Sequence, residues 1–305
     1  MKRLIIVYSS RSGRFSEVEK KIIAESRKLK GWMVARYEIK DASVRVNIAE
    51  LAKIIRKGDL VLSAGGDVIA MVAMNAIIKS GEIATLGVMP FGVFNDFAET
   101  LGRLNFKQII RKFEEGRYVD FYPLNITVDK KHYVYSGMYF MVGMMAESAR
   151  VLGGPKVRKK LEKAKNRMSF SARWLFKWYL RNKKRKDFLP EGTRINDAIV
   201  EKNSTDYVVV NGASMASVVP GGVWYRSGRQ FWSGTMRNRS FWRMLKKFLI
   251  ALEGTLPGKE SIEDIVSFKR PCCIYVRSDG RGERLEEVSK ISISKSGKSL
   301  RVIKA

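Results

Sequence analysis

Two apolar runs, each ending in a glycine-bearing loop, constrain this chain more than any other feature. Asp59 to Ser63 leads into Ser63-Ala64-Gly65-Gly66-Asp67, and Thr85 to Met89 leads into Phe91-Gly92-Val93-Phe94-Asn95-Asp96-Phe97-Ala98. Each loop then opens a stretch with helical patterning. Strand, glycine turn and helix in succession form the unit from which parallel, helix-covered sheets are built. Such sheets hold anions at these turns, because paired glycines let the backbone approach closely and a helix start adds partial positive charge. An Asp there repels phosphate unless a divalent cation lies between them, so Gly65-Gly66-Asp67 points to nucleotide plus metal. Taken singly, Asp67 and Asp96 read equally well as plain helix N-caps.

The same alternation runs through the first 120 residues. Leu4 to Tyr8 is predicted as a buried strand, followed by the turn Ser9-Ser10-Arg11-Ser12-Gly13-Arg14. Ser16 with Glu19 forms a capping-box pattern before Val18, Ile22, Ile23 and Leu29. Met33 to Ile39 reads as a strand, and Asn47 with Glu50 as the cap of a helix bearing Ile48, Leu51, Ile54 and Ile55. Val68 to Lys79 is apolar almost all round and is expected to be a buried helix. From about Val119 the rhythm changes to strands joined by turns, including Leu124 to Val128, Tyr133 to Val142, Tyr207 to Val210 and Cys272 to Val276. Helical stretches interrupt it at Arg150 to Lys186 and Ser240 to Gly254. The pattern predicts an α/β domain over 1–120 and a mainly antiparallel domain over 121–305, with the last strand able to return to the first domain.

Of the 305 residues, 58 are Lys or Arg and 30 are Asp or Glu, a formal charge of +28. Residues 156–186 alone carry +13, with Glu162 their single acid. Such a face attracts anionic lipid headgroups, nucleic acid or negatively charged substrates. No recognised nucleic-acid motif accompanies it, so nucleic acid ranks last among these partners. Within it, Phe170 to Arg181 alternates aromatics with cations and reads either as an interfacial helix or as one packed on its own domain. No apolar run reaches the ~18 residues of a membrane span. Cys272 and Cys273 are adjacent and lack metal spacing, which makes a reduced, cytoplasmic setting the default expectation. His132 is the sole histidine, which argues against His-based metal sites and a Ser-His-Asp triad.

In order and spacing the chain resembles the diacylglycerol kinase catalytic family, lipid kinases related to NAD kinases and sphingosine kinases. Ser9-Ser10-Arg11-Ser12-Gly13 stands at its first turn, and Gly65-Gly66-Asp67 at its Gly-Gly-Asp-Gly-Thr. Leu86 to Ala98 matches its Leu-Gly-x-x-Pro-x-Gly-Thr-x-Asn-Asp-Phe-Ala. Asp120 stands at its acidic entry to the second domain, and Val210-Asn211-Gly212 and Ser278-Asp279-Gly280 at later landmarks.

The resemblance implies a Rossmann-like α/β domain, a β-sandwich-like second domain, and ATP with Mg²⁺ in the cleft between them, phosphorylating a lipid hydroxyl at an anionic membrane. It implies Asp67, Asp96 and Asp120 as metal ligands, Asp67 also in catalysis, and Ser9, Gly13, Gly65, Gly66, Gly92 and Asn95 around the nucleotide. A homodimer is an allowed assembly. Several chemistry positions depart from the pattern. Val68, Ile69 and Val93 replace small or hydroxyl residues, and Ser227 stands where a carboxylate is expected. Asp-Gly-Glu has become Asp279-Gly280-Arg281, and a guanidinium is no base at neutral pH. Glu283, two residues on, is the candidate substitute. The alternative is a catalytically impaired homologue that binds nucleotide or lipid in a regulatory role.

Overall fold

The structure, a computed structural model, describes residues 1–10, 15–40, 43–92, 95–164, 167–182, 188–202, 204–212, 214–215, 219–220, 230–237, 258–279 and 281–305. Gly13, Val93, Ser227, the basic run 183–186, Gly280 and the helix expected over Ser240 to Gly254 lie outside the described residues.

The first layer is built as the hydrophobic pattern demands. Strand β1 (Lys2–Tyr8) buries Leu4, Ile5, Ile6 and Val7 completely, on both faces of the sheet, as expected of a parallel strand covered by helices. A short helical stretch follows: α1 (Phe15–Val18), a π-helical turn (Glu19–Ile23) and α2 (Ala24–Ser26). Ser16 therefore lies inside the helix instead of capping it. Next come β2 (Trp32–Glu38) and α3 (Val44–Ile54).

The cap of α3 is Ser43, whose hydroxyl accepts from the Val46 N–H, and not the expected Asn47. Asn47 is buried in the first turn, where its amide bonds Lys40 on both backbone atoms and takes the Tyr37 hydroxyl. A side chain able to both donate and accept satisfies more of that buried loop than one cap bond would.

Strand β3 (Leu60–Gly65) runs into α4 (Asp67–Ser80), and β4 (Thr85–Pro90) into α5 (Asp96–Leu101). Helix α4 is buried along nearly its whole length, as its apolar sequence predicts, and ends on left-handed Gly81. Helix α6 (Phe106–Glu114) closes the layer with an Asn105/Gln108 capping box. The sheet order is β2-β1-β3-β4 in parallel, extended by β18 (Leu300–Val302), parallel to β4, and then β5 (Val119–Phe121), antiparallel to β18. The chain's last strand thus returns to the first sheet, tying the two halves together.

The second half is antiparallel, as predicted. It comprises β6 (Leu124–Val128), β7 (Lys131–Ser136) and β8 (Tyr139–Gly143), the short pair β9 (Arg194–Ile195) and β10 (Ala198–Ile199), and β11 (Ser204–Val210). A two-residue pair, β12 (Ser214–Met215) with β13 (Val219–Pro220), stands apart. Strands β14 (Phe231–Arg237) and β15 (Lys259–Ser261) precede the long hairpin of β16 (Glu263–Ser278) and β17 (Arg281–Lys295). The main path of this sheet is β15-β14-β11-β8-β16-β17-β6-β7. Among the described residues, three helices lie between β8 and β9: α7 (Met144–Leu152), α8 (Pro155–Lys163) and α9 (Arg167–Asn182).

The two halves meet without a seam in the core. One apolar cluster joins α4, Phe97 and β4 to Met138, Tyr139 and Met141 of β8 and its approach. Gly137 is required there, since a Cβ would collide with the Phe97 ring.

Candidate nucleotide site

Both diagnostic loops emerge at the same edge of the first sheet. Gly65 ends β3 directly opposite Pro90, the end of β4, and the Phe91 N–H donates to the Gly65 carbonyl at 3.1 Å. This is the carboxyl end of the parallel strands, where α/β sheets take their ligands. Gly66 is the N-cap of α4 and Asp67 its first residue. Ser9 follows β1, half-buried, at the end of the neighbouring strand.

Asp67 is 3% exposed. Its Oδ1 accepts from the Phe97 N–H at 3.0 Å, and the Asp96 N–H also bonds the carboxylate. Its Oδ2 is buried with no hydrogen-bond partner. Burial first, then the neighbouring charges of Asp96 and Asp279, push the Asp67 carboxyl up to about 8, against those two N–H donors. Asp96 is itself fully buried at the start of α5. Asn95 uses its amide to bracket its own loop, taking the Gly92 N–H at 2.9 Å and returning a bond to the Gly92 carbonyl at 3.0 Å.

Two residues from the second half complete the cluster, and sequence reasoning assigned neither a role. Asp279 is fully buried in a left-handed conformation (φ 44°) at the tip of the β16–β17 hairpin. It accepts from the backbone N–H groups of Gly137, Met138 and Tyr139 at 2.6, 2.8 and 3.1 Å and from the Ser136 hydroxyl at 3.0 Å. Burial nevertheless raises its carboxyl to about 6. Arg277 is buried beside it, with Nε donating to the Tyr139 hydroxyl at 3.2 Å and the charges of Asp67 and Asp96 acting on its guanidinium. The one available signal was a cation in the apolar alternation Ile274-Tyr275-Val276-Arg277, which a solvent-facing strand position would also produce.

Asp120 does not join this cluster. It is exposed on β5, in register with Arg301 of β18, which in turn pairs with Thr85 at the start of β4. Asp96 follows the other end of β4, five residues or about 17 Å along the strand. Order in the sequence placed Asp120 in the set, and strand register removes it.

Glu283 is likewise committed elsewhere. It forms an ion pair with Arg281 and takes the Tyr133 hydroxyl. Paired with Val276, it lies on the sheet face opposite Arg277. Among the described residues no three His, Cys, Asp or Glu side chains gather as a metal cage.

Residues 3–121 match the family model for the diacylglycerol kinase catalytic domain. That segment, from β1 to β5, is similar to the catalytic domain of diacylglycerol kinases. A diacylglycerol kinase of Bacillus subtilis (strain 168) is 36% identical over 107 residues, which are 33% of this chain. The match spans about a third (34%) of that relative's length. Over the whole chain the fold is similar to a solved Bacillus anthracis str. Sterne protein described as "a putative diacylglycerol kinase". The TM-score is 0.70 at 13% identity, covering 100% of this chain and 97% of that one. A second solved diacylglycerol kinase from the same organism gives 0.65 at 11% identity, covering 100% and 97%. The diacylglycerol kinase fold, an α/β domain with an antiparallel sheet domain, is thus borne out.

Proposed function

We propose that this chain transfers the terminal phosphoryl group of ATP, with Mg²⁺, to a hydroxyl of a lipid at an anionic membrane surface. One observation carries the reading: a buried carboxylate oxygen, Asp67 Oδ2, without a partner at a helix start in the catalytic domain. A buried polar atom left unsatisfied is unfavourable by roughly 1–3 kcal/mol, more for a charge, and a cation is what a carboxylate oxygen takes.

The residues present fit Mg²⁺. It prefers hard oxygen donors and is held by one or two carboxylates together with substrate phosphates and water, so a three-residue protein cage is not required. Asp67 and Asp96 would hold it. When bound, it neutralises phosphate charge, the main need of phosphoryl transfer. The chain's own contributions are otherwise positional. Gly66 would bring backbone close to the phosphates and the start of α4 would face them with its partial positive charge, while Gly65 is closed over by the Ile69 side chain and Asn95 fixes the loop that carries Asp96. Asp279 ties the hairpin tip of the second half to residues 136–139, next to Phe97, and so sets the spacing of the two halves around the site.

A second reading, a nucleotide-binding relative without turnover, is favoured by one observation: Glu283, the candidate base, is neutralised by Arg281. Loss of a general base slows a reaction by about 10²–10⁴-fold. The test is transfer of labelled γ-phosphate to diacylglycerol and sphingoid lipids in mixed micelles, with Mg²⁺-dependent ATP binding measured in parallel. Transfer abolished by Asp67→Ala supports the kinase. Binding without transfer supports the second reading. Absence of both removes each of them.

A further inference from the structure

The aromatic helix divides its two candidate roles between its two faces. Its inward stripe packs at home: Tyr179 is buried against Met144 and Phe188, with Trp178 and Tyr275 beside them, and Trp174 stacks on Trp178. The outward stripe is Arg173, Phe176, Lys177, Leu180 and Arg181, spaced i, i+3, i+4, i+7, i+8 on one face. Phe176 is 37% and Leu180 43% exposed. Helix α9 contains no acidic residue, and the adjoining α8 exposes Lys156, Lys160 and Lys163.

We infer that this outward face of α9 is the surface by which the protein docks on an anionic lipid bilayer, Phe176 and Leu180 entering the headgroup–acyl boundary between cations bound to lipid phosphates. The inference rests on the lipid-directed reading of the site and names the element that meets the membrane. Three arguments select this occupant. Large apolar side chains interleaved with Arg and Lys suit an interface that is hydrocarbon on one side and phosphate on the other. A polyanion without hydrocarbon uses the cations and offers nothing to the exposed parts of Phe176 and Leu180. A second copy of a chain with formal charge +28 would meet this face with its own positive field.

The location also serves the site. Helix α9 packs on α7, and Arg150 of α7 lies against Gly282 at the hairpin tip next to Asp279. The docking face therefore sits on the half that must receive the lipid.

The experiment is co-sedimentation of the full chain with phosphatidylcholine vesicles, with and without phosphatidylglycerol, without ATP. Three proteins are compared: the parent, Phe176→Ser/Leu180→Ser, and Arg173→Gln/Lys177→Gln/Arg181→Gln. The parent is expected on the anionic vesicles only, with part of its binding surviving about 0.5 M salt, where charge attraction is screened within ~4–5 Å. The double serine variant is expected to bind about tenfold more weakly at that salt. The triple glutamine variant is expected to lose a similar factor at physiological salt. Unchanged melting temperatures and ATP binding show that the variants are folded.

Equal binding of parent and double serine variant overturns the proposal, as does equal binding to neutral vesicles or tighter binding of the parent to RNA or duplex DNA. Vesicle binding is read without turnover. Failure of phosphoryl transfer leaves this inference standing, and transfer in micelles without vesicle docking removes this inference alone.

Discussion

The strand-end loops of the first half and the hairpin tip of the second both deliver acidic residues to the domain junction, and they treat them in opposite ways. In the loops, Asp67 keeps one carboxylate oxygen buried and unpartnered. At the tip, Asp279 is surrounded by three backbone N–H groups and a hydroxyl, and Glu283 is closed off by Arg281 and Tyr133. The unpartnered carboxylate oxygen thus lies on the loop side. The hairpin side has turned its acids into scaffold. The sequence departures fall on both sides, Val68, Ile69 and Val93 beside the loop acids and Arg281 after Asp279-Gly280, but Gly65-Gly66-Asp67 itself is intact.

If the tip is scaffold, removing Asp279 is the most damaging single change. Asp279→Ala strands the N–H groups of Gly137, Met138 and Tyr139 in a buried site, and is expected to destabilise the fold by about 3–5 kcal/mol. Urea unfolding measures it. A loss below about 1 kcal/mol would mean that the tip is held by something other than this carboxylate.

The loop side makes the complementary prediction. Asp67→Asn keeps the shape and the Oδ1 bonds but removes the charge, so Mg²⁺-dependent ATP binding is expected to fall roughly a hundredfold. Fold stability is expected to hold or rise. Isothermal titration gives the first quantity and thermal melting the second. Equal affinity in parent and variant would place the cation elsewhere.

A pH titration of the ligand-free protein sharpens the contrast. The Asp67 carboxyl is raised to about 8 and that of Asp279 to about 6, both chiefly by burial. A raised acid binds more protons folded than unfolded between the two pKa values, so stability falls as pH rises through that window. The expected loss from about pH 4 to 8 is several kcal/mol, with Asp67→Asn removing the part above about pH 6. Saturating Mg²⁺ and ATP, by keeping Asp67 ionised in the complex, are expected to flatten the slope between pH 6 and about 8.

These residues also show which parts of the molecule a sequence discloses. The first sheet was legible because apolar strands, glycine turns and the buried helix α4 are local patterns, and local physics decides them. The site was legible only in part. Asp67 and Asp96 sit at turns whose position follows from the strands before them. Asp120 was misplaced because motif order does not specify which end of a strand faces the cleft, and that depends on the register of β5 with β18. Asp279 and Arg277 were missed because their partners, residues 136–139 and the two loop acids, are more than a hundred residues away in the chain. Ser16 and Asn47 failed as caps for a smaller reason: a capping pattern can occur one turn inside the helix it seems to begin.

The smallest expected effect tests the division most sharply. Glu283→Gln keeps the Tyr133 contact and removes half of a partly exposed ion pair, 31% and 24% accessible on its two sides. Such pairs contribute roughly 0–1 kcal/mol, so stability is expected to move by less than that, and any phosphoryl transfer by less than tenfold. A general base would behave differently, with kcat falling by about 10²–10⁴ and KM unmoved. Steady-state kinetics on a micellar lipid decides between them. A large kcat effect would mean that Arg281 releases Glu283 when substrate arrives. The effect of Arg281→Ala would then confirm it: removing the partner would raise kcat if the ion pair holds a working base in reserve, and leave kcat unchanged if the pair is only scaffold.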